Sequence, residues 1–453
     1  MNETRSLAEF VARLRYEDLP QAVIDQACRI IVDTVGCALS AWTEDPQKSR
    51  IAREIAELYA SAGGASVIGI AGLRSQPAFA ALANGILANA ADNDDTHKRA
   101  LLHTGSVVVP PALALAETLG LAGRDLILAL VAGYEVAVRV GMAVMPTHYR
   151  YWHSTATNGT FGAAACAAKA LKLDVDAVQC ALGLAGTQAA GLNTFFESGD
   201  MTKSIHPGKA AFNGILSAQL AQMGATSPPS ILEHPKGYLN AYSTEPKPQK
   251  LTEGLGSSWE ILQNGFKYFP SILASHSPIQ ATLAIVRKHR IDPRQIAHIT
   301  NETYNTVKSH FSNKDVSTVM AARVSVPYCI AVSAIDGELT QAQFAPARIN
   351  DALVREVLAN TEIIADAGLN ALYPDKFPAR VTITLKNGTP FQETVLIPKG
   401  DPQDPLTAAE LDAKFRGNAD ALLGNARSGE LLQAIHALPD ARNVDRLRGL
   451  LHP

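Results

Sequence analysis

Apolar residues recur at helical spacing through most of the first 260 positions. After Asp18, Leu19 and Pro20, the stripe Val23, Ala27, Ile30, Ile31 and Val35 predicts a helix, with proline tolerated in its first turn. Residues 78–91 predict a second, alanine-rich helix. Pro110 and Pro111 are placed to open a third, and 124–145 a fourth. Residues 159–173, 174–191 and 208–224 supply three more. Their wealth of Ala and Gly lets backbones approach closely, so a tightly packed helical bundle is expected. A short strand is predicted over 65–70, after Gly63 and Gly64.

The pattern changes near Trp259. Residues 298–304 alternate and are rich in Ile and Thr, which predicts a strand. Residues 381–385, then Asn387-Gly388, then 391–397 predict a β-hairpin. Helical stretches around 278–289, 327–336 and 350–360 lie between them. The expected fold class is therefore mainly α, with a large all-helical domain built from both chain ends and a smaller α+β domain. The expected bounds are 1–264 for the first helical part, 265–400 for the α+β part and 401–453 for the helical return, with the boundary loop over Pro246–Gly256.

Composition narrows the function classes. The chain has 453 residues, 47% of them hydrophobic, enough for a large core. A net charge of −3 offers no broad attraction for nucleic acid or an anionic membrane. The opening MNETRSLAEF has no basic segment followed by an apolar run, so no secretory signal is expected. The most membrane-like stretch, 126–145, carries Glu135 and Arg139 at i, i+4. Two mid-span charges are costly in lipid, so a buried core helix is expected. The five cysteines are odd in number and form no CxxC. A reduced, cytoplasmic protein with buried thiols is the expectation.

Five segments hold candidate chemistry. The first is Asp92-Asn93-Asp94-Asp95-Thr96-His97, followed by His103. Clustered carboxylates and imidazoles shift one another's pKa and tune a base, although a helix end meeting solvent looks the same in sequence. Asp and His are also metal ligands, but no HExxH or EF-hand spacing is present. The second runs from His148 and Tyr149 to His153, Ser154 and Thr155, ahead of a helix. Free N–H groups there bind anions, and helix capping explains the same residues. The third is Thr202-Lys203-Ser204-Ile205-His206-Pro207-Gly208-Lys209, in which Lys203 and His206 precede a predicted helix start. It is not a phosphate loop, because Lys203 occupies the first glycine position and Ala210 replaces Ser/Thr. The fourth sets Lys267 and His276 before another helix, and the fifth places Tyr328 near a helix start. An ordinary loop lysine and a packing tyrosine are the plain alternatives. No GxSxG and no GxGxxG after a strand is present, which argues against hydrolase and dehydrogenase roles.

Taken together, the segments resemble the MmgE/PrpD family over nearly the whole chain. The resemblance rests on Ile31-Val32-Asp33-Thr34-Val35-Gly36-Cys37, Asp94-Asp95-Thr96-His97, Trp152-His153, Thr202-Lys203, His206-Pro207-Gly208-Lys209-Ala210-Ala211, and Tyr328 before Asp336-Gly337. It implies a two-domain homodimer with a helical domain built from both chain ends, an inserted α+β lid, a site between them, and no metal or organic cofactor. The expected partner is a small polycarboxylate, with no nucleic acid and no membrane. The resemblance and the motifs together give Asp94, His103, Lys203 and Tyr328 as candidate catalytic residues. The candidate binding residues are Thr96, His97, Tyr149, His153, His206, Lys267 and His276. Two departures stand out: Ile272-Leu273 replaces a Cys-Arg pair common in relatives, and Tyr151 fills a usually small position.

The implied chemistry is proton removal beside a carboxylate, with the developing carbanion stabilised by positive groups. Its first expected outcome is dehydration of a hydroxy polycarboxylate, of the 2-methylcitrate dehydratase kind. Epimerisation of a dicarboxylate such as iminodisuccinate is favoured by the missing arginine and the Tyr149/Tyr151 pair. Decarboxylation of the cis-aconitate kind is a third outcome, and a catalytically silent ligand-binding homodimer a fourth.

Overall fold

A computed structural model describes residues 2–453. The chain is mainly helical and divides into two compact units. The larger comprises 1–194, 202–265 and 407–453, and the smaller 195–201 and 266–406.

In the larger unit, the opening amphipathic pattern becomes the helix Gln21–Glu44, buried along most of its length after Val23. Helices Pro77–Asn89, Thr104–Leu119, Gly123–Val144, Ser154–Ala170, Val175–Gln188 and Thr202–Gln222 follow. Small residues set their spacing. A Cβ on Gly85 would stand 2.6 Å from Gly208 Cα, so helices Pro77–Asn89 and Thr202–Gln222 cross backbone to backbone. Gly162 meets Ala137 in the same way, packing Ser154–Ala170 on Gly123–Val144. The latter helix has the length and hydropathy to cross a bilayer but is buried inside this unit. Its two mid-span charges pair, with Arg139 Nε 3.2 Å from Glu135 Oε2. Arg139 also donates to the carbonyls of Glu253 (2.6 Å) and Ser258 (2.9 Å), which fastens the Pro246–Gly256 segment as part of this unit.

Two expected helix starts are corrected. Pro110 and Pro111 lie inside the helix that begins at Thr104. The Asp95 carboxylate accepts the Gly105 N–H and so satisfies the first turn from outside it, upstream of the prolines. The helix expected over 208–224 begins at Thr202. Contact of Gly208 with the Pro77–Asn89 helix supports it through Pro207, so Lys203 and His206 sit in its first two turns rather than ahead of them. The strand expected over 65–70 runs instead over Ala60–Ser66, against Arg74–Ser75.

The smaller unit is built on a four-stranded sheet in the order Thr361–Ala365, Ile296–Thr303, Ala379–Leu385, Pro390–Val395. The first pair is parallel and the other two antiparallel. The strand Thr361–Ala365 was not among the expected elements, being short and directly after the helix Ala352–Ala359. Helices His276–His289 and Val326–Asp336 pack over the core with Ile299, Val381 and Ile383. Of the five thiols, all free, Cys180 is half-buried and the others are buried.

Candidate active site

The Pro77–Asn89 helix ends in the loop that carries the acidic motif, and every carboxylate of that motif is buried. Asp92 takes a left-handed backbone (φ 53°), a conformation Asp tolerates better than most residues. The crossing of Gly85 on Gly208 brings the start of the Thr202–Gln222 helix against this loop. Lys203, 4% exposed, thereby places Nζ 2.7 Å from Asp92 Oδ1. Asn89 donates its side-chain N–H groups to both oxygens of Asp94 (2.8 and 2.9 Å).

His103 caps the Thr104–Leu119 helix and faces the same loop. Its Nδ1 lies 3.0 Å from the Asp95 carbonyl, 3.3 Å from Thr96 Oγ1 and 3.5 Å from Asp94 Oδ1. A carbonyl only accepts, so the network assigns the proton to Nδ1. Nε2 is then left as the basic atom. His153, at the N-terminus of the Ser154–Ala170 helix, has its ring 6.4 Å from that of His103. Its Nδ1 is 2.9 Å from His206 Nδ1, one donating and the other accepting. Burial, then the nearby His206, Lys203 and His103, push its pKa well below the usual imidazole value. His153 is therefore a neutral hydrogen-bonding group at pH 7 rather than a fixed charge.

The structure gathers Asp94, Thr96, His103, Lys203, His153 and His206 of the expected residues, and adds Asp92. His97 turns elsewhere. Its Nδ1 accepts from the Ala100 N–H (3.3 Å), and its Nε2 lies 3.6 Å from Glu260 Oε2. These contacts fasten the loop on the side of Glu260. Tyr149 is half-buried in the turn Thr147–Arg150, and its carbonyl accepts from Asn193 Nδ2 at 2.7 Å. His148 is spent on Thr157 Oγ1 and the Tyr242 carbonyl, and burial lowers it to about 4. Lys267, His276 and Tyr328 belong to the smaller unit and are all buried there. His276 Nε2 is 3.4 Å from the Ser271 carbonyl. The Tyr328 hydroxyl donates to the Gln343 carbonyl at 2.5 Å, and burial raises its pKa, so it holds its proton.

Asp92, Asp94 and His103 offer donor atoms within 4.8 Å of one another, a set able to hold a divalent cation. Such a cation would have to displace the Lys203 ammonium from Asp92 and the Asn89 amide from Asp94.

Asp95 stands behind the cluster. Its carboxylate accepts the Gly105 N–H (2.9 and 3.1 Å) and pairs with the Tyr134 hydroxyl. Burial, then Asp94 and Asp33, push it up to about 8. An acid raised in this way takes up a proton on folding. Its stabilising contribution is full below the unfolded value of about 4 and is lost as pH rises through about 8. Asp95→Asn is therefore expected to gain thermal stability relative to the parent as pH rises from about 5 to about 9. Melting curves across that range check this, and a difference independent of pH would refute it. A methyl group at Gly105 would stand 2.5 Å from Thr34 Oγ1 and 2.6 Å from Asp95 Oδ1. Gly105→Ala is expected to cost about 1–3 kcal/mol by overpacking, read from chemical denaturation.

A helical unit that closes carboxylates, imidazoles and the Lys203 ammonium into a buried cluster defines a protein equipped for acid–base chemistry. The chain belongs to the MmgE/PrpD family: its N-terminal domain matches residues 5–251 and its C-terminal domain residues 269–439. Among curated relatives, the chain is 29% identical to the human cis-aconitate decarboxylase, with 99% of this chain and 94% of the relative covered. It is 28% identical to the cis-aconitate decarboxylase of Aspergillus terreus, covering 99% and 96%. It is 27% identical to a cis-aconitate decarboxylase-like protein of Aspergillus oryzae, covering 99% and 97%.

Proposed function

We propose that this chain is an enzyme that forms a carbanion beside a carboxylate on a small polycarboxylic acid, and that its reaction is a decarboxylation of the cis-aconitate kind. The observation that carries the proposal is the buried cluster in which Lys203 adjoins Asp92 at 2.7 Å while His103, its Nδ1 tied to Asp95, keeps Nε2 for proton transfer. Water exclusion strengthens each charge–charge term there. A raised Asp95, uncharged at neutral pH, lessens the negative charge that a polyanionic substrate meets.

In this reading Lys203 and the neutral His153 bind substrate carboxylates. The bond from carbon to the departing carboxylate breaks and its electron pair stays on the carbon skeleton. Carbon dioxide leaves, and the carbanion takes a proton that His103 Nε2 has first accepted from water, which returns the ring to its neutral Nδ1–H form. Dehydration would use the same groups differently. His103 would remove the proton beside the carboxylate while an acid protonates the leaving hydroxyl. The decarboxylase relatives, which span nearly the whole chain, favour the first course. The test is incubation with cis-aconitate, 2-methylcitrate, citrate and iminodisuccinate in heavy water. Carbon dioxide release with deuterium on product carbon is the expected result. An alkene formed from a hydroxy acid without carbon dioxide would replace it with dehydration. Deuterium at Cα without net turnover would replace it with epimerisation.

A further inference from the structure

Lys414 lies on the helix Ala408–Leu423, far from the acidic motif in sequence, and its side chain is only 13% exposed. Its Nζ donates to Asp33 Oδ1 at 2.6 Å and to the Asn93 carbonyl at 2.7 Å. That carbonyl belongs to the peptide linking Asn93 to Asp94, midway between the partner of Lys203 and the partner of His103. One turn on, Asn418 shares the same helix face, and its Oδ1 lies 3.5 Å from Asn93 Nδ2. The helix is seated by Phe415, whose Cδ2 would be 3.0 Å from a Cβ on Gly36. Asp33 itself is 2% exposed. The titratable groups that bear on Lys414 are thus Asp33 and Cys37, a thiol that burial keeps protonated, from the Gln21–Glu44 helix, and Asp94 from the loop.

Lys203 and Lys414 therefore hold the acidic stretch of the loop from different elements. Lys203 holds a side chain that adjoins the reacting cluster, whereas Lys414 holds the backbone from behind. We propose that Lys414 is a positioning residue: by fixing the Asn93 carbonyl it sets where Asp92 and Asp94 present their carboxylates to Lys203 and His103. The rate part of this inference rests on the carbanion reading above, whereas the backbone part does not.

Lys414→Met removes the ammonium while keeping an unbranched side chain. It is expected to lower kcat about 10²-fold, with KM changed less than about 3-fold, because misplacement of reacting groups acts on the chemical step. Amide hydrogen exchange over residues 92–96 is expected to accelerate at least about 10-fold, with the sheet of the smaller unit unchanged. The single variant strands Asp33 as a buried charge, so the double variant Asp33→Asn/Lys414→Met is the second arm. It is expected to recover thermal stability and yet keep the fast exchange at 92–96 and the low kcat. Recovery of kcat and of slow exchange in the double variant would overturn the inference, leaving Lys414 as a counter-charge to Asp33. Unchanged exchange and kcat in a folded single variant would overturn it as well. Should the parent protein turn over none of the polycarboxylates, the carbanion reading fails, and exchange over 92–96 alone decides whether Lys414 fixes the loop.

Discussion

Lys203→Met is expected to lower turnover by about 10²–10³-fold, the range seen when one preorganised donor to a developing negative charge is removed. Lys203 is paired with Asp92 and acts electrostatically on His153, and Lys414 is committed to Asp33 and the Asn93 carbonyl, so Lys203 is the group proposed to neutralise the transition state. The variant also leaves Asp92 buried without its ammonium, and breaking a buried pair costs about 3–5 kcal/mol. A fall in activity alone would therefore confound catalysis with folding. Asp92→Asn/Lys203→Met separates them: asparagine suits the left-handed backbone at this position and carries no charge. The double variant is expected to regain most of the melting temperature and none of the turnover. If it regained turnover as well, Lys203 would be a structural partner of Asp92 and the proposed chemistry would lose its cation.

His103→Asn carries the second large effect, a loss of about 10²–10⁴-fold in kcat. The asparagine Nδ2 falls near the place of His103 Nδ1 and retains an N–H for the Asp95 carbonyl, so the loop and the helix start at Thr104 stay held. What disappears is Nε2, the atom that moves the proton. The expected signature is an unchanged melting temperature, a small change in KM, and loss of the pH–rate limb that reports the imidazole. A variant with normal turnover would transfer the proton-moving role to another group, with His153 the nearest imidazole in view.

The two large effects fall on residues that could be named before the fold was seen, and this follows from what a linear pattern encodes. Helical periodicity marked most of the bundle, because a helix that buries one face must repeat its apolar residues every three or four positions. The segment Asp92–His97 and the residues Lys203, His103 and His153 were noticeable because charged and imidazole side chains interrupt otherwise apolar surroundings. Helix starts depart from the local pattern where distant groups intervene. The Asp95 carboxylate moves one start upstream of Pro110, and Gly208 against Gly85 carries another through Pro207.

What the sequence by itself determined is most of the helical segments, three of the four strands of the smaller unit's sheet, and which polar residues lie beside buried helix ends. Each of these depends on neighbours within a few residues. Tertiary structure alone decided the pairings: Lys203 with Asp92, His153 with His206, His97 with Glu260 rather than with the cluster, and Lys414 with the Asn93 carbonyl. Those contacts join residues from 53 to over 320 positions apart. Such pairs leave no periodic trace, because the chain between them can be any length that lets the helices pack.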